Sequence, residues 1–277
     1  MKKLAYLIMV HKINEQLYQL IQQFPDDGVD IFIHLDEKCQ DKLLILKSNI
    51  HLIDKRINVK WGHISVLEAQ LELIKVAKNH GDYSHYIFLS GQDLVLKNFS
   101  TIKKFYEYNV KYSFIHLEEN TKWRNKQKVR YQLKYPKWMF SRSLPIRLIR
   151  KMYQVIFGIF LKDNPAIHFG SMWMSLTDEF VEYLLKYDEE YQIIEKNKHF
   201  TVPDEFVIHT IFMNSPFKEY RKDYLTYVDW SENKPSPKVL TMIDLPYLLT
   251  TPMFYARKFD ENIDAMIIAR IIENAKE

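Results

Sequence analysis

Several groups of residues in this 277-residue chain combine types and spacings that could do chemistry. Pro203-Asp204-Glu205 opens a helical pattern in which Asp204 is a natural cap. A first-turn carboxylate such as Glu205 can instead point out of the helix end into a cleft. There the Asp204 charge and partial burial would raise its proton affinity and suit it to general-base work. The bland alternative is two acids that merely stabilise a helix start. Arg257-Lys258 stands between Phe254-Tyr255-Ala256 and Phe259. Two cations among apolar neighbours call for an anion, either a diphosphate or a carboxylate from elsewhere in the chain. Asp36, after His34-Leu35, and His11, after an apolar run, sit at strand ends. Such positions suit a nucleobase or ribose contact and equally an ordinary turn or a structural histidine. Trp230, after Asp229, offers an aromatic face to a pyranose or to the core.

The elements that must position these groups alternate short β-branched or aromatic runs with amphipathic ones, the mark of an α/β layer fold with an open, mostly parallel twisted sheet. The patterns predict strands at Leu4–Val10, Asp30–His34, Ile57–Lys60, Tyr86–Leu89 and Tyr112–His116. They predict helices at Asn14–Phe24, Lys42–Ser48, Ser65–Asn79 and Thr101–Asn109. Further on come a strand pair at Ala166–Phe169 and Met172–Leu176, helices at Thr177–Tyr187 and from Pro203 to Met213, a short strand at Leu225–Val228, and a last helix reaching Asn274. Ligands of such sheets bind beyond the carboxyl ends of the strands. Those ends carry His11, Asp36, Ser90-Gly91-Gln92-Asp93 and His116-Leu117-Glu118.

Composition narrows the function. Six glycines, none spaced as G-x-G-x-x-G or a Walker loop, disfavour Rossmann dehydrogenases and P-loop NTPases. No Asp-x-Asp occurs, and with a single cysteine, Cys39, and no clustered His pair, a protein-held metal is not expected. The lone cysteine also fits a reducing compartment. Lys2-Lys3 followed by Leu4–Val10 resembles a secretory leader, but His11-Lys12 cuts the apolar run short. A first β-strand and a cytoplasmic protein are expected instead. The formal net charge is +4, yet Lys122 to Lys151 holds eleven Lys or Arg and no acid, leaving 28 basic against 35 acidic residues elsewhere. Aromatic residues interleave this stretch, which runs into the apolar Met152–Leu161. Residues 122–161 therefore read first as a peripheral contact with an anionic membrane or a lipid-linked substrate. A solvated flap over a cleft is the second reading, and nucleic acid is the rival set aside.

In order along the chain, seven segments carry a resemblance: Ala5–His11, Ile31–Asp36, Trp61–Ser65 with Glu68-Ala69, Leu89–Asp93, His168–Trp173, Pro203–Glu205 and Phe254–Asp260. Together they are similar to the core-2/I-branching glycosyltransferases, which include β-1,6-N-acetylglucosaminyltransferases and peptide O-xylosyltransferases. The resemblance implies a single GT-A-type domain over 1–277: a nucleotide-binding half at 1–120, a basic helical insertion at 121–165 and a catalytic and acceptor half at 166–277. It implies inverting transfer from a UDP-sugar, N-acetylglucosamine before xylose, glucose or galactose, to an oligosaccharide or lipid-linked glycan, with no metal or other cofactor. Glu205 resembles the catalytic base, Lys258 the lysine on the donor diphosphate and Asp36 the carboxylate that reads uracil, with His11, Gly91 and Asp93 also on the donor side. Glu118, Arg130 and Trp230 resemble acceptor positions. The arginine that animal members place upstream of the lysine falls here on Pro235, so Lys234, Lys238 or Arg257 must replace it. The animal enzymes also have an anchor and many cysteines. This chain resembles instead a bacterial, cytoplasmic relative working in surface polysaccharide synthesis at the inner membrane face.

Overall fold

The computed structural model describes residues 2–44, 47–141 and 143–276. In chain order the strands are β1 (Lys3–Val10), β2 (Val29–Leu35), β3 (Ile50–Leu52), β4 (Tyr83–Ser90), β5 (Asp93–Val95), β6 (Ser113–Phe114), β7 (Ser175–Thr177), β8 (Arg221–Lys222), β9 (Thr226–Val228) and β10 (Tyr255–Arg257). The helices are α1 (Glu15–Gln22), α2 (Ser65–His80), α3 (Phe99–Tyr108), α4 (Thr121–Gln132), α5 (Leu144–Gly158), α6 (Asp178–Tyr191), α7 (Ile193–Asn197), α8 (Val207–Met213), α9 (Leu245–Thr250) and α10 (Ala265–Lys276).

Seven strands form one open sheet in the order β3-β2-β1-β4-β7-β6-β8. All its pairs are parallel except those of β7, which runs against both β4 and β6. Alternation along β1 explains why the sheet needs cover on both sides. Leu4, Tyr6, Ile8 and Val10 join a core with α1, α3 and α10, while Ala5 and Leu7 join one with α2, α6 and α8. A small second sheet, β5-β10-β9, is tied to the first by the Tyr6 and Tyr255 hydroxyls, 3.0 Å apart. The α/β architecture and the basic helical insertion, α4 and α5, are thus as expected.

Several boundaries differ. The third edge strand is Ile50–Leu52, not Ile57–Lys60, because Ile31 pairs with Ile50. The Ile57 amide instead donates to His34 Nε2 at 3.0 Å. The described part of Lys42–Ser48 is not helical, and Ile45 and Leu46 lie outside the described residues. Ala166–Phe169 is no strand, since its backbone bonds go to scattered partners: His168 N donates to Thr210 Oγ1, Asn214 Nδ2 to Ala166 O, Arg124 to Ile167 O and Glu118 N to Phe169 O. The helix after Pro203 is split, with a 3₁₀ turn at Pro203–Glu205 and α8 starting at Val207.

Candidate active site

Parallel pairing fixes where the carboxyl ends of β1, β2 and β4 emerge, and β6 and β8 point the same way. Because β7 runs antiparallel with Ile87 opposite Ser175, the loop 168–174 enters along that same edge. His11, Asp36, Ser90–Asp93, His116–Glu118, Gly170–Trp173 and Asp223-Tyr224 are therefore gathered beyond one side of the sheet.

Glu205 is held at this edge by backbone and side chain alike. Its carbonyl accepts from Gly170 N at 2.9 Å, and Arg130 Nη1 donates to Oε2 at 2.5 Å. Arg130 arrives on α4, whose N-cap Asn120 accepts from Trp123 N, and Glu118 Oε1 in turn accepts from Asn120 N at 2.8 Å. The guanidinium also lies 5.8 Å from the Trp123 ring. Two of the three residues expected on the acceptor side, Glu118 and Arg130, thus form a chain of support that ends on the carboxylate. Loss of solvent around Glu205 raises its proton affinity, and Arg130 opposes the rise.

The turn that presents Glu205 is strained. Val202, a β-branched residue, has φ +54°, a conformation L side chains rarely adopt, and Val202 N donates to Gly62 O at 2.8 Å. On the far side Gly170 is packed so tightly that a Cβ there would lie 1.8 Å from His116 O, which only glycine avoids. Beneath it His209 is fully buried, bonded through Nε2 to Ser171 O at 3.0 Å, and burial brings its pKa down to about 4, so the ring is neutral.

Asp204 is a different kind of carboxyl from Glu205. It is 6% exposed, its Oδ1 has no hydrogen-bond partner, and burial followed by the Glu205 charge pushes it up to about 7 from 3.8. Burial thus raises both adjacent carboxyls, and of the two Glu205 is the one hydrogen-bonded to Arg130. A carboxyl that titrates higher when folded stabilises fully below its unfolded value, and that stability is lost as pH rises to about 7. Asp204→Asn should therefore change thermal stability little at pH 4. At pH 8 it should raise the melting temperature, because the buried charge is gone. Melting curves at the two pH values check this.

The second constellation divides its two cations. Arg257 Nε donates to Asp93 Oδ1 at 3.0 Å, and the guanidinium lies 4.1 Å from the Trp173 ring centroid. Asp93 is fully buried and also accepts from Ser90 N and Oγ. Asp93 is thus placed as an anchor for Arg257, its carboxylate occupied by protein donors. Gly91 is likewise buried, its amide donating to Met9 O. Lys258 behaves differently. It is half-buried, its carbonyl accepts from Leu240 N, and among the described residues no carboxylate lies within ion-pair distance of its ammonium. Its positive charge contributes, after burial and Lys12, to lowering the pKa of His11. Lys238, expected as a substitute cation, is neutralised by Asp244 at 2.5 Å and Asp229 at 3.6 Å. Both Asp36 carboxylate oxygens accept from Lys38, through its amide and its ammonium, in a closed turn that a uracil would have to share. Trp230, 54% exposed after β9, has a free face.

Glu205 and the Arg257-Lys258 pair are 52 positions apart yet joined by one short loop, from Gly170 bonded to Glu205 to Trp173 under Arg257. Trp173 had no role assigned from sequence. A bulky aromatic in a short strand-end motif is the only signal that could have marked it. The Arg130–Glu205 pair had none, because 75 residues separate the partners.

Fold and site together define an α/β protein with a charged group of side chains beyond its strand ends. The sequence pattern of the core-2/I-branching enzymes matches residues 4–249, and the chain belongs to that family. Xylosyltransferase 2 of Canis lupus familiaris is 22% identical over 304 residues, covering 96% of this chain and 33% of that protein. Xylosyltransferase sqv-6 of Caenorhabditis elegans is 22% identical over 296 residues, covering 95% and 35%. The chain thus spans about a third of the length of these relatives. Among solved structures, galactosyltransferase LgtC with donor and acceptor sugar analogues is similar over 98% of this chain and 95% of that one, at 11% identity and a TM-score of 0.40. Apo mouse xyloside xylosyltransferase 1 covers 84% and 90%, at 10% identity and 0.41.

Proposed function

We propose that this chain is an inverting, metal-independent glycosyltransferase that moves a sugar from a UDP-sugar to a glycan hydroxyl. The observation that carries the reading is one loop, residues 170–173, that is bonded to the desolvated carboxylate Glu205 at one end and lies under the guanidinium of Arg257, the chain neighbour of Lys258, at the other. Arg130 occupies Oε2 and orients the carboxylate, leaving Oε1 for the acceptor. Glu205 takes the hydroxyl proton, the acceptor oxygen bonds to the anomeric carbon from the face opposite the nucleotide, and the bond to the diphosphate breaks with inversion. One carboxylate suffices, because a diphosphate leaves without a general acid. Lys258 stabilises the charge it takes away, and Arg257, already neutralised by Asp93, contributes less.

N-acetylglucosamine is the first donor to test. Xylose stands beside it, because the relatives to which the chain is similar are named xylosyltransferases. Calorimetry with UDP, then transfer assays with UDP-GlcNAc, UDP-Xyl, UDP-Glc, UDP-Gal and UDP-GalNAc in excess EDTA, test the reading. UDP binding and transfer in EDTA are expected. Absent UDP binding would sink it, and a strict Mn²⁺ requirement would remove its metal-independent part.

The acceptor we infer is lipid-linked. No described helix is long and apolar enough to cross a membrane. On α5 and just beyond it, however, Leu144, Leu148, Met152, Val155, Ile159 and Phe160 are 56–76% exposed, with Arg147 and Lys151 among them. Such a face suits the interface of an anionic bilayer, where each basic residue adds about 1 kcal/mol. Association with anionic vesicles is expected to weaken as salt rises and to fall when Val155 and Phe160 are made Ser. Co-sedimentation that is absent, or unchanged by salt, speaks for a flap instead.

A further inference from the structure

The opposite edge of the main sheet, where the parallel strands begin, holds a group of side chains with no part in the transfer reading. Asp30 is the second residue of β2, His51 the middle of β3 and His80 the last of α2. One ligand atom from each lies within 4.8 Å of the other two. The two imidazoles are tilted at 46° with centroids 4.1 Å apart, and His51 Nε2 is 3.5 Å from Asp30 Oδ1. The surroundings fix the first two side chains. Tyr83 Oη donates to Asp30 Oδ2 at 2.9 Å, and Phe32 stacks on the His51 ring at 4.9 Å. Beside the group an open cleft of about 640 Å³, lined by Asp30, His80 and Tyr83 among others, leaves room for water as a further ligand.

We propose that Asp30, His51 and His80 bind one divalent transition-metal ion, zinc by preference, at a site remote from the sugar-transfer cleft. Two imidazoles and one carboxylate with an open position are a donor set that Zn²⁺ accepts in near-tetrahedral geometry, whereas Mg²⁺ and Ca²⁺ prefer oxygen. Tyr83 orients the carboxylate as an outer-shell partner does. The ion would link the end of α2 to the first turns of β2 and β3, adding stability. Lys3 is its competitor. Its half-exposed ammonium lies 3.1 Å from Asp30 Oδ2 and must swing toward solvent for the ion to enter.

The test uses the whole chain stripped with chelator, titrated with Zn²⁺ by calorimetry and with Co²⁺ by visible absorption. One ion per chain is expected, with a rise in Tm as metal is added. His80→Ala and His51→Ala should each weaken binding at least about tenfold, the least that loss even of an outer-shell group costs. Lys3→Gln should tighten binding by removing the competing cation, an effect that scattered surface histidines would not show. His80 is exposed, so its variant should fold, and the metal-free Tm checks that. No one-to-one binding, or binding indifferent to His80→Ala, overturns the proposal. Glu205→Gln should bind the ion as the parent does, so failure here and failure of the transferase reading are told apart.

Discussion

Glu205→Gln is expected to bind UDP as the parent chain does and to lose transfer by at least ~100-fold, the usual contribution of a positioned general base. The change is isosteric and keeps a hydrogen-bonding partner for Arg130, so the turn at Pro203 and the Gly170 contact should persist. What disappears is the lone pair that takes the acceptor proton. Initial rates with the active donor, paired with UDP calorimetry, measure the two effects separately. Turnover near the parental rate would show that Glu205 is only a helix-start carboxylate. A joint loss of binding and thermal stability would indicate a role in folding.

Lys258→Ala is expected to cost about 2.7–4 kcal/mol of barrier, or roughly 10²–10³ in rate, if its ammonium meets the departing diphosphate. The reasoning rests on which cations are already satisfied. Arg257 faces Asp93 and Lys238 faces two aspartates, so neither offers a full charge, while Lys258 has no such partner among the described residues. UDP affinity should fall with the rate, because the diphosphate is present in both ground and transition states. Lys258→Arg should restore part of each. If Lys238→Ala proves more damaging to UDP binding than Lys258→Ala, the assignment is reversed.

Much of this arrangement is legible in the sequence because it is local. The apolar run Leu4–Val10 specifies a strand, the spacing of Leu67, Leu71 and Ile74 specifies a helix, and Asn14 caps α1 as its position suggests, accepting from Leu17 N. Once alternating strands and helices imply a mostly parallel sheet, the polar residues at the strand ends must share an edge. Very short strands were harder. Ile50–Leu52 has three residues and takes its identity from pairing with β2, so no period was there to find. Ala166–Phe169 has the composition of a strand, but side chains and loop backbone from distant segments supply its bonds.

The sequence by itself determined the layer architecture, the strand-end edge where polar residues gather, and the basic and apolar stretch at 122–161, and it singled out Glu205 and Lys258 as candidates. Only the tertiary structure decided which charges cancel. Asp93 takes Arg257, Arg130 takes Glu205, Lys238 is spent on Asp229 and Asp244, and His51 and His80 meet over Asp30 although the sequence showed no clustered His pair. Periodicity encodes which face of an element is buried. Coulomb pairing instead depends on distances of a few ångströms between side chains that sheet order brings together.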